Sequence, residues 1–235
     1  MGKKFKIRIS EQDLSMLIAK SMFSNLGNIL GTKNMGSTKD SEQDLAKDSG
    51  KEITPIKTTK TSGEFTELDL NKPEDYKAYQ EIADKFISSR SSNLLGIRGS
   101  MLADAAKSVQ NRFGKYVPVE LSLGQLASEG AFSNDPKSRA IRTKNPYNVG
   151  NVDSGKNEFH PTVQSGIQRY YDLMAKSYLT GGKTASDLLN NFVNVNGNRY
   201  ASAKNYEQSV SKIASQVQSM AEPVYASLSK KTNLT

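Results

Sequence analysis

Apolar residues recur every three or four positions through most of the chain beyond residue 71, which is the spacing of amphipathic α-helices. Glycine and proline divide this pattern into segments, because glycine favours the end of a helix and proline its first turn. Gly114, for example, follows one such segment, whereas Pro73 and Pro118 each open one. We therefore expect helices over 73–90, 101–113, 118–131, 161–179 and 185–195, and a last helix from about 203 that breaks before Pro223.

One stretch, residues 145–160, lacks the helical pattern. Val149 and Phe159 flank a polar turn there, Asp153-Ser154-Gly155-Lys156, as apolar residues flank the turn of a hairpin. We expect a short β-hairpin at this point. The predicted fold class is therefore mainly α: a helical domain over 71–235 with one small β-hairpin.

The first 70 residues follow a different pattern. Charged and apolar side chains alternate over 4–9, which is typical of a half-exposed strand, and an apolar stripe at helical spacing follows Ser10, a suitable helix N-cap. We therefore expect a strand-helix arm over 1–30. Residues 31–70 are rich in Gly, Ser, Thr, Lys and Asp and poor in large apolar residues, which predicts a flexible linker.

Composition excludes several kinds of active site. The chain has no cysteine, which rules out a disulfide, a thiolate metal site and a cysteine nucleophile. Its one histidine, His160, disfavours a histidine-rich metal site and a Ser-His-Asp triad. We therefore predict no metal and no cofactor.

The charge balance is basic, with 32 Lys and Arg residues against 24 Asp and Glu residues and a net charge of +8. Such a field favours polyanionic partners: nucleic acid, anionic lipid or the anionic polymers of a bacterial envelope. The basic residues are scattered rather than clustered, which disfavours nucleic-acid binding. No stretch reaches the roughly 18 apolar residues that a membrane span requires. The N-terminus becomes charged too early for a classical signal peptide.

Glu129 is the residue in this sequence best suited to acid catalysis. It stands at the end of the mostly apolar segment 118–131 and precedes a loop rich in Asn and Gly, 145–151. Burial at a helix end raises the pKa of a carboxyl group, which can then hold a proton near neutral pH and donate it to the leaving oxygen of a glycoside. The alternative is that Glu129 only caps the helix end. Glu120 lies in the first helical turn, where an acid suits the helix dipole, and is predicted to be structural.

The segment Gly124–Ser133, GQLASEGAFS, resembles the motif Ala-Gln-Ala-x-Leu-Glu-Ser-Gly-Trp-Gly of the autolysin- and flagellar-type endo-β-N-acetylglucosaminidases, which are lysozyme-like peptidoglycan hydrolases. Gln125 and Glu129 match, and Phe132 stands in place of the tryptophan. Further likenesses follow in the family's order: Asn145–Asn151 to Asn-Asn-Leu-Phe-Gly-Ile-Lys, Phe159–Ile167 to Phe-Arg-x-Tyr-x-Ser…Ile, and Arg199–Tyr206 to Gly-Tyr-Ala-Thr-Asp-Pro-x-Tyr.

This resemblance implies a lysozyme-like fold and cleavage of the glycan strands of peptidoglycan, with Glu129 as the general acid. It also implies that Tyr200 places its hydroxyl near the anomeric centre. Asp153 would activate a water or stabilise an oxocarbenium-like transition state, although a turn aspartate usually bonds its own backbone. The residues expected to contact the substrate are Gln125, Phe132, Tyr147, Asn148 and Tyr206, with a core position as the alternative for Tyr206 and a bond to the loop backbone as the alternative for Asn148.

The same residues leave open which bond is cleaved. The stretch from Glu129 to Ser138 also resembles the goose-type lysozymes and lytic transglycosylases. In a transglycosylase one acid suffices, because a hydroxyl of the sugar itself attacks the reacting centre. A muramidase and a lytic transglycosylase, both using Glu129, therefore stand as alternatives.

The arm over 1–30 resembles short N-terminal tags on proteins of Bacteroidetes phages, with a basic strand, a polar cap and an amphipathic helix. This implies a phage-encoded protein of the virion or of the host periplasm or cell wall, whose arm contacts other virion proteins, with a merely helical arm as the alternative for these residues. The alternative is a non-catalytic virion structural or adaptor protein that keeps a hydrolase-derived fold.

Overall fold

The computed structural model of the chain describes residues 65–151 and 155–232. The strand and helix expected over 1–30, and most of the linker expected over 31–70, lie outside these ranges. The described part is mainly helical, as predicted. Its helices are α1 Pro73–Ser88, α2 Gly99–Phe113, α3 Val119–Ser128, α4 Arg139–Thr143, α5 Val163–Leu173, α6 Ala185–Asn190 and α7 Tyr206–Thr232, and a π-helical turn, Met174–Tyr178, continues α5.

Helix α3 lies at the centre of the fold. Every residue from Val119 to Leu126 is buried, which accounts for the almost continuous apolar character of this segment. Its most extensive partner is α7, and α1 packs against both of them and against α2. The α3 and α7 backbones approach closely at Gly124, where a Cβ atom would lie 2.9 Å from the carbonyl oxygen of Val210. A glycine at this position therefore permits the central helix contact.

The packed domain begins before the boundary expected at residue 71. Leu68 and Leu70 are buried in the core. The side-chain amide of Gln110 on α2 holds them there, because it donates to the Leu68 carbonyl and accepts from the Leu70 N–H, each at 2.8 Å. A polar tether of this kind leaves no periodic pattern in the sequence.

The predicted β-hairpin is not confirmed. Residues 145–151 and 155–160 contain no strand, and the residues between them lie outside the described part. Asparagine side chains bind the backbone groups that a hairpin ladder would use: Asn145 bonds both the N–H and the carbonyl of Val149, and Asn151 accepts from the Glu158 N–H. The one isolated β-bridge within the described residues joins Val193 to Arg199.

Two helix predictions are corrected. The break expected before Pro223 is wrong, because α7 runs through this proline. Pro223 and Ser219 are both exposed, so the helical turn before this proline lies at the surface, where water can bond a carbonyl that lacks an N–H partner. The helix expected over 185–195 ends at Asn190, and the Phe192 N–H beyond it donates to the Glu207 carboxylate at 3.2 Å.

No helix of the described part is both long and apolar enough to cross a membrane.

Candidate functional site

Glu129 is the C-cap residue of α3. This agrees with its predicted position at the end of the apolar segment. Its backbone N–H still donates to the Gln125 carbonyl at 2.9 Å, and Gly130 then turns the chain away with a φ of 77°. The residue is half-buried. The carboxyl group therefore lies at the edge of the core, with part of the residue open to solvent.

Two side chains donate hydrogen bonds to this carboxyl group. The Tyr206 hydroxyl, from the start of α7, donates to Oε1 at 2.7 Å. The Asn148 amide donates to Oε2 at 3.2 Å and to the Glu129 backbone carbonyl at 2.8 Å. Donors on both oxygens favour the ionised form and fix the plane of the carboxyl group.

The loop 145–151 positions Asn148. Asn148 has a φ of 50°, in the left-handed region that asparagine tolerates better than most residues. The Asn151 amide donates to Asn148 Oδ1 at 3.0 Å, which directs the Asn148 amide nitrogen toward Glu129. Helix α5 supports the loop at Gly166, where a Cβ atom would lie 2.2 Å from the Lys144 carbonyl oxygen.

The pKa of Glu129 is raised above its ordinary value. Burial is the largest cause, and it outweighs the hydrogen bonds from Tyr206 and Asn148 and the positive charge of Arg139, which all lower the pKa. A carboxyl group in this environment keeps its proton to higher pH than an exposed glutamate does. That is the property required of a general acid near neutral pH.

The tyrosines expected in a substrate groove differ in exposure. Tyr206 is buried and its hydroxyl is shared between Glu129 and Gln125, from whose amide it accepts at 3.0 Å. Tyr200 is half-buried, and its ring stacks on that of Tyr206 with centroids 5.8 Å apart. Its hydroxyl donates to the Tyr147 carbonyl at 2.6 Å rather than to Glu129. Tyr200 therefore lies beside the acid without bonding it.

Gln125 and Tyr147 are both fully buried. The Tyr147 ring stacks on Tyr170 with centroids 3.6 Å apart and an interplanar angle of 3°. Its hydroxyl lies 2.7 Å from the Ser122 hydroxyl. Direct contact of either side chain with a substrate stays a prediction, and their burial does not support it.

Phe132 is half-buried, and its ring packs edge-on against Phe86 with centroids 6.1 Å apart. Asp153, the expected second carboxylate, lies outside the described residues. Glu158 is engaged elsewhere, since it accepts from Arg169 at 2.9 Å and lies 3.6 Å from His160. Among the described residues, no other carboxylate is hydrogen-bonded to the side chains of Glu129, Asn148 or Tyr206.

Glu120 shares several features with Glu129 but not its exposure. It is fully buried in the first turn of α3, and the Tyr225 hydroxyl donates to its Oε1 at 2.8 Å. Burial raises the pKa of Glu120 as well. A substrate cannot reach this buried side chain, which is consistent with the structural role expected for Glu120, and the residue serves as an internal comparison for Glu129.

Sequence reasoning missed three parts of this region. Arg139, at the start of α4, had no recognisable spacing because the helix has five residues. Tyr170 lies within the helix predicted over 161–179 without an expected role, yet its hydroxyl donates to Gln125 Oε1. Ser122 was unremarkable in sequence, but it links Tyr147 to Tyr171, each at 2.7 Å.

A cavity lies apart from this site. It measures about 940 Å³ and is lined by residues that include Phe65, Lys115, Tyr116, Leu179 and Lys183. Within the described ranges, no group of three or more His, Asp or Glu side chains is arranged to hold a metal ion.

No protein-family model matches the chain, and no curated protein or solved structure matches it. The role of Glu129 is therefore inferred from the residues around it.

Proposed function

We propose that this protein cleaves the glycan strands of peptidoglycan with a lysozyme-like domain, in the manner of an endo-N-acetylglucosaminidase, and that Glu129 is the general acid. One observation carries the proposal: a half-buried glutamate at the end of a buried helix has a raised pKa and receives hydrogen bonds from Tyr206 and Asn148. The order of motifs that follow Glu129 in the sequence supports the same substrate class.

The chemistry follows from the two ionisation states of Glu129. In the protonated state the carboxyl group gives its proton to the leaving glycosidic oxygen as the C–O bond breaks. The negative charge then left on Glu129 is stabilised by the Tyr206 hydroxyl and the Asn148 amide, which are already in place. Both donors bind the product state of the proton transfer more strongly than the reactant state, which lowers the barrier.

The second half of the reaction separates a hydrolase from a transglycosylase. A hydrolase adds water to the oxocarbenium-like centre, usually with a second carboxylate. Asp153 is the candidate for that role, while Glu158 is bound to Arg169. A transglycosylase closes the centre with a hydroxyl of the same sugar and needs Glu129 alone. A muramidase or a lytic transglycosylase using the same acid is therefore the alternative activity.

A second candidate function is non-catalytic. Asn148 donates to both the backbone and the side chain of Glu129, and Tyr206 donates to the other carboxyl oxygen. Glu129 therefore connects α3 with the 145–151 loop and with α7. These bonds suit a fold in which Glu129 is only stabilising, as in a non-catalytic structural or adaptor protein, for which the sequence suggests a virion. The arm over 1–30 would then contact other virion proteins.

The test uses purified sacculi and the full-length chain, with wild type, Glu129→Gln and the control Glu120→Gln compared at equal folded concentration. The proposed function predicts soluble glycan fragments from wild type and from Glu120→Gln, and a loss of roughly 10²- to 10⁴-fold in rate for Glu129→Gln. An unchanged rate in Glu129→Gln would exclude this acid. Absence of fragments with wild type, on sacculi from several hosts, would favour the non-catalytic function.

A further inference from the structure

A chain of hydrogen bonds leads from the core to Glu129. The Tyr170 hydroxyl donates to Gln125 Oε1, the Gln125 amide donates to the Tyr206 hydroxyl at 3.0 Å, and that hydroxyl donates to Glu129 Oε1 at 2.7 Å. The direction is set by chemistry, because an ionised carboxylate only accepts and a phenol has one proton. Tyr206 therefore donates its hydrogen bond to Glu129 and accepts one from Gln125.

The residues of this hydrogen-bond chain lie on three different helices. Gln125 lies on α3, Tyr170 on α5 and Tyr206 on α7, and the first two are fully buried. The Tyr170 ring is stacked on Tyr147, with centroids 3.6 Å apart. A Gln125 amide bonded at both its oxygen and its nitrogen cannot turn without breaking a bond. In a low-dielectric interior, successive hydrogen bonds of this kind strengthen one another.

We propose that Tyr170, Gln125 and Tyr206 are positioning residues, which fix the orientation of the Glu129 carboxyl group. They also stabilise the carboxylate that forms when Glu129 loses its proton. This inference rests on the glycan cleavage proposed above. Gln125 acts through Tyr206, because its own side chain is fully buried and cannot reach a substrate. This role differs from the substrate contact that the sequence suggested for Gln125 and Tyr206.

The last hydrogen bond of this chain, from Tyr206, acts on the ionisation of Glu129. The hydrogen bond from Tyr206 lowers the pKa of Glu129 against the larger rise caused by burial, and Asn148 and Arg139 lower it further. The hydroxyls of Tyr170 and Tyr200 also face this site. Breaking the chain removes a stabilising donor from the carboxylate. The pKa of Glu129 should therefore rise, the alkaline limb of the rate profile should move to higher pH, and kcat should fall with KM unchanged.

The experiment is a ¹³C NMR titration of the Glu129 carboxyl carbon in the full-length chain, with its signal assigned by its loss in Glu129→Gln. The variants are Tyr206→Phe and Gln125→Met. The control is Tyr200→Phe, which removes a neighbouring hydroxyl that bonds the Tyr147 carbonyl instead of Glu129. Thermal unfolding establishes that each variant is folded at the titration temperature.

The proposal predicts that the pKa of Glu129 rises in Tyr206→Phe, rises less in Gln125→Met, and stays at the wild-type value in Tyr200→Phe. If the pKa of Glu129 rises only in Tyr206→Phe, Gln125 has no positioning role and the proposed chain of hydrogen bonds is overturned. An equal rise in Tyr200→Phe would assign the effect to ring packing and would also overturn the proposal.

The two proposals fail in distinguishable ways, because the pKa is measured without turnover. A wild type that releases no glycan product would overturn the proposed function, and with it the positioning role, even if the pKa values follow the expected order. An active wild type whose Glu129 pKa is the same in all variants would overturn the hydrogen-bond chain alone.

Discussion

The Tyr206 hydroxyl donates to Oε1 of Glu129 at 2.7 Å, although the two residues are 77 positions apart in the chain. Glu129 ends α3 and Tyr206 begins α7, so their contact depends on how these helices pack. The two helices approach closely at Gly124, five residues before Glu129. The environment of the acid is therefore a product of the central helix pair.

Gly124→Ala should weaken both the fold and the site. The added Cβ would lie 2.9 Å from the Val210 carbonyl oxygen, so the helices must separate, at a cost of about 1–3 kcal/mol in the free energy of unfolding. Separation should also lengthen the contact between Glu129 and Tyr206 and reduce any glycan-cleaving rate. Denaturant unfolding measures the first effect. Helix propensity alone would make Gly124→Ala more stable than wild type. A variant that is as stable as wild type, or more stable, would therefore contradict the close approach of α3 and α7.

Asn148 offers a test of the second donor to Glu129. Asn148→Gly keeps the left-handed backbone but loses the amide, and we expect a loss of about 1–2 kcal/mol in the free energy of unfolding and a higher pKa for Glu129. Asn148→Asp should be worse at neutral pH, because it places a carboxylate against another carboxylate, and should recover on acidification.

Thermal unfolding of both Asn148 variants across the acidic range provides the comparison. The predicted signature is a stability deficit that shrinks with falling pH in Asn148→Asp more than in Asn148→Gly. Equal behaviour of the two variants would mean that Asn148 does not donate to the Glu129 carboxyl group in solution.

The buried tyrosine hydroxyls depend on Ser122. Its hydroxyl lies 2.7 Å from those of both Tyr147 and Tyr171, so Ser122→Ala leaves buried hydroxyls short of a partner, at a cost of about 1–3 kcal/mol. Ser128→Ala on the same helix is the control, because the Ser128 hydroxyl only bonds the Gly124 carbonyl one turn back. We expect its effect to stay within about 0.5 kcal/mol. Similar losses in the two variants, measured by urea unfolding, would argue against the tyrosine network.

Glu120 makes the fold sensitive to pH. Burial raises its pKa above the ordinary value of 4.5, and its Oε2 has no hydrogen-bond partner among the described residues. In the unfolded chain the carboxyl group ionises at lower pH than in the fold, so stability falls as pH rises from the unfolded pKa through the folded pKa. Tyr225, which donates to Glu120, and the buried Tyr116 hydroxyl face the group without supplying a positive charge.

Glu120→Gln removes this titration while keeping a side chain that can accept from Tyr225. The difference in melting temperature, variant minus wild type, should therefore increase as pH rises from below 4.5 toward neutrality. A difference that is constant with pH would show that Glu120 ionises in the fold as it does in the unfolded chain.

The sequence was sufficient for the helices whose pattern is local. Gly114 stops α2 as expected, with a φ of 60°, and Pro73 begins α1. It was insufficient where tertiary contacts decide the outcome. The helix expected over 185–195 ends early, and the Phe192 N–H donates to Glu207 instead, while Pro223 lies within α7 at an exposed position.

The site could be predicted only in part for the same reason. The local pattern, a carboxyl group after an apolar run, indicates Glu129 as a candidate, and the family resemblance adds the catalytic role of Glu129 and the substrate contact expected for Asn148. The partners of Glu129 come from other elements: Tyr206 from α7 and Arg139 from α4. Gln125 is buried because α3 is covered by other helices on all sides. The sequence of α3 alone does not show which helices pack around it.

The most direct test of the central claim is mass spectrometry of muropeptides released in H₂¹⁸O by wild type and by Glu129→Gln. The account predicts reducing N-acetylglucosamine ends that carry ¹⁸O with wild type and their loss with Glu129→Gln. Reducing muramic acid ends would identify a muramidase, and unlabelled anhydro-muramic ends a lytic transglycosylase, with the same acid. Products that persist at the wild-type rate in Glu129→Gln, or no products from wild type on any envelope tested, would contradict the account.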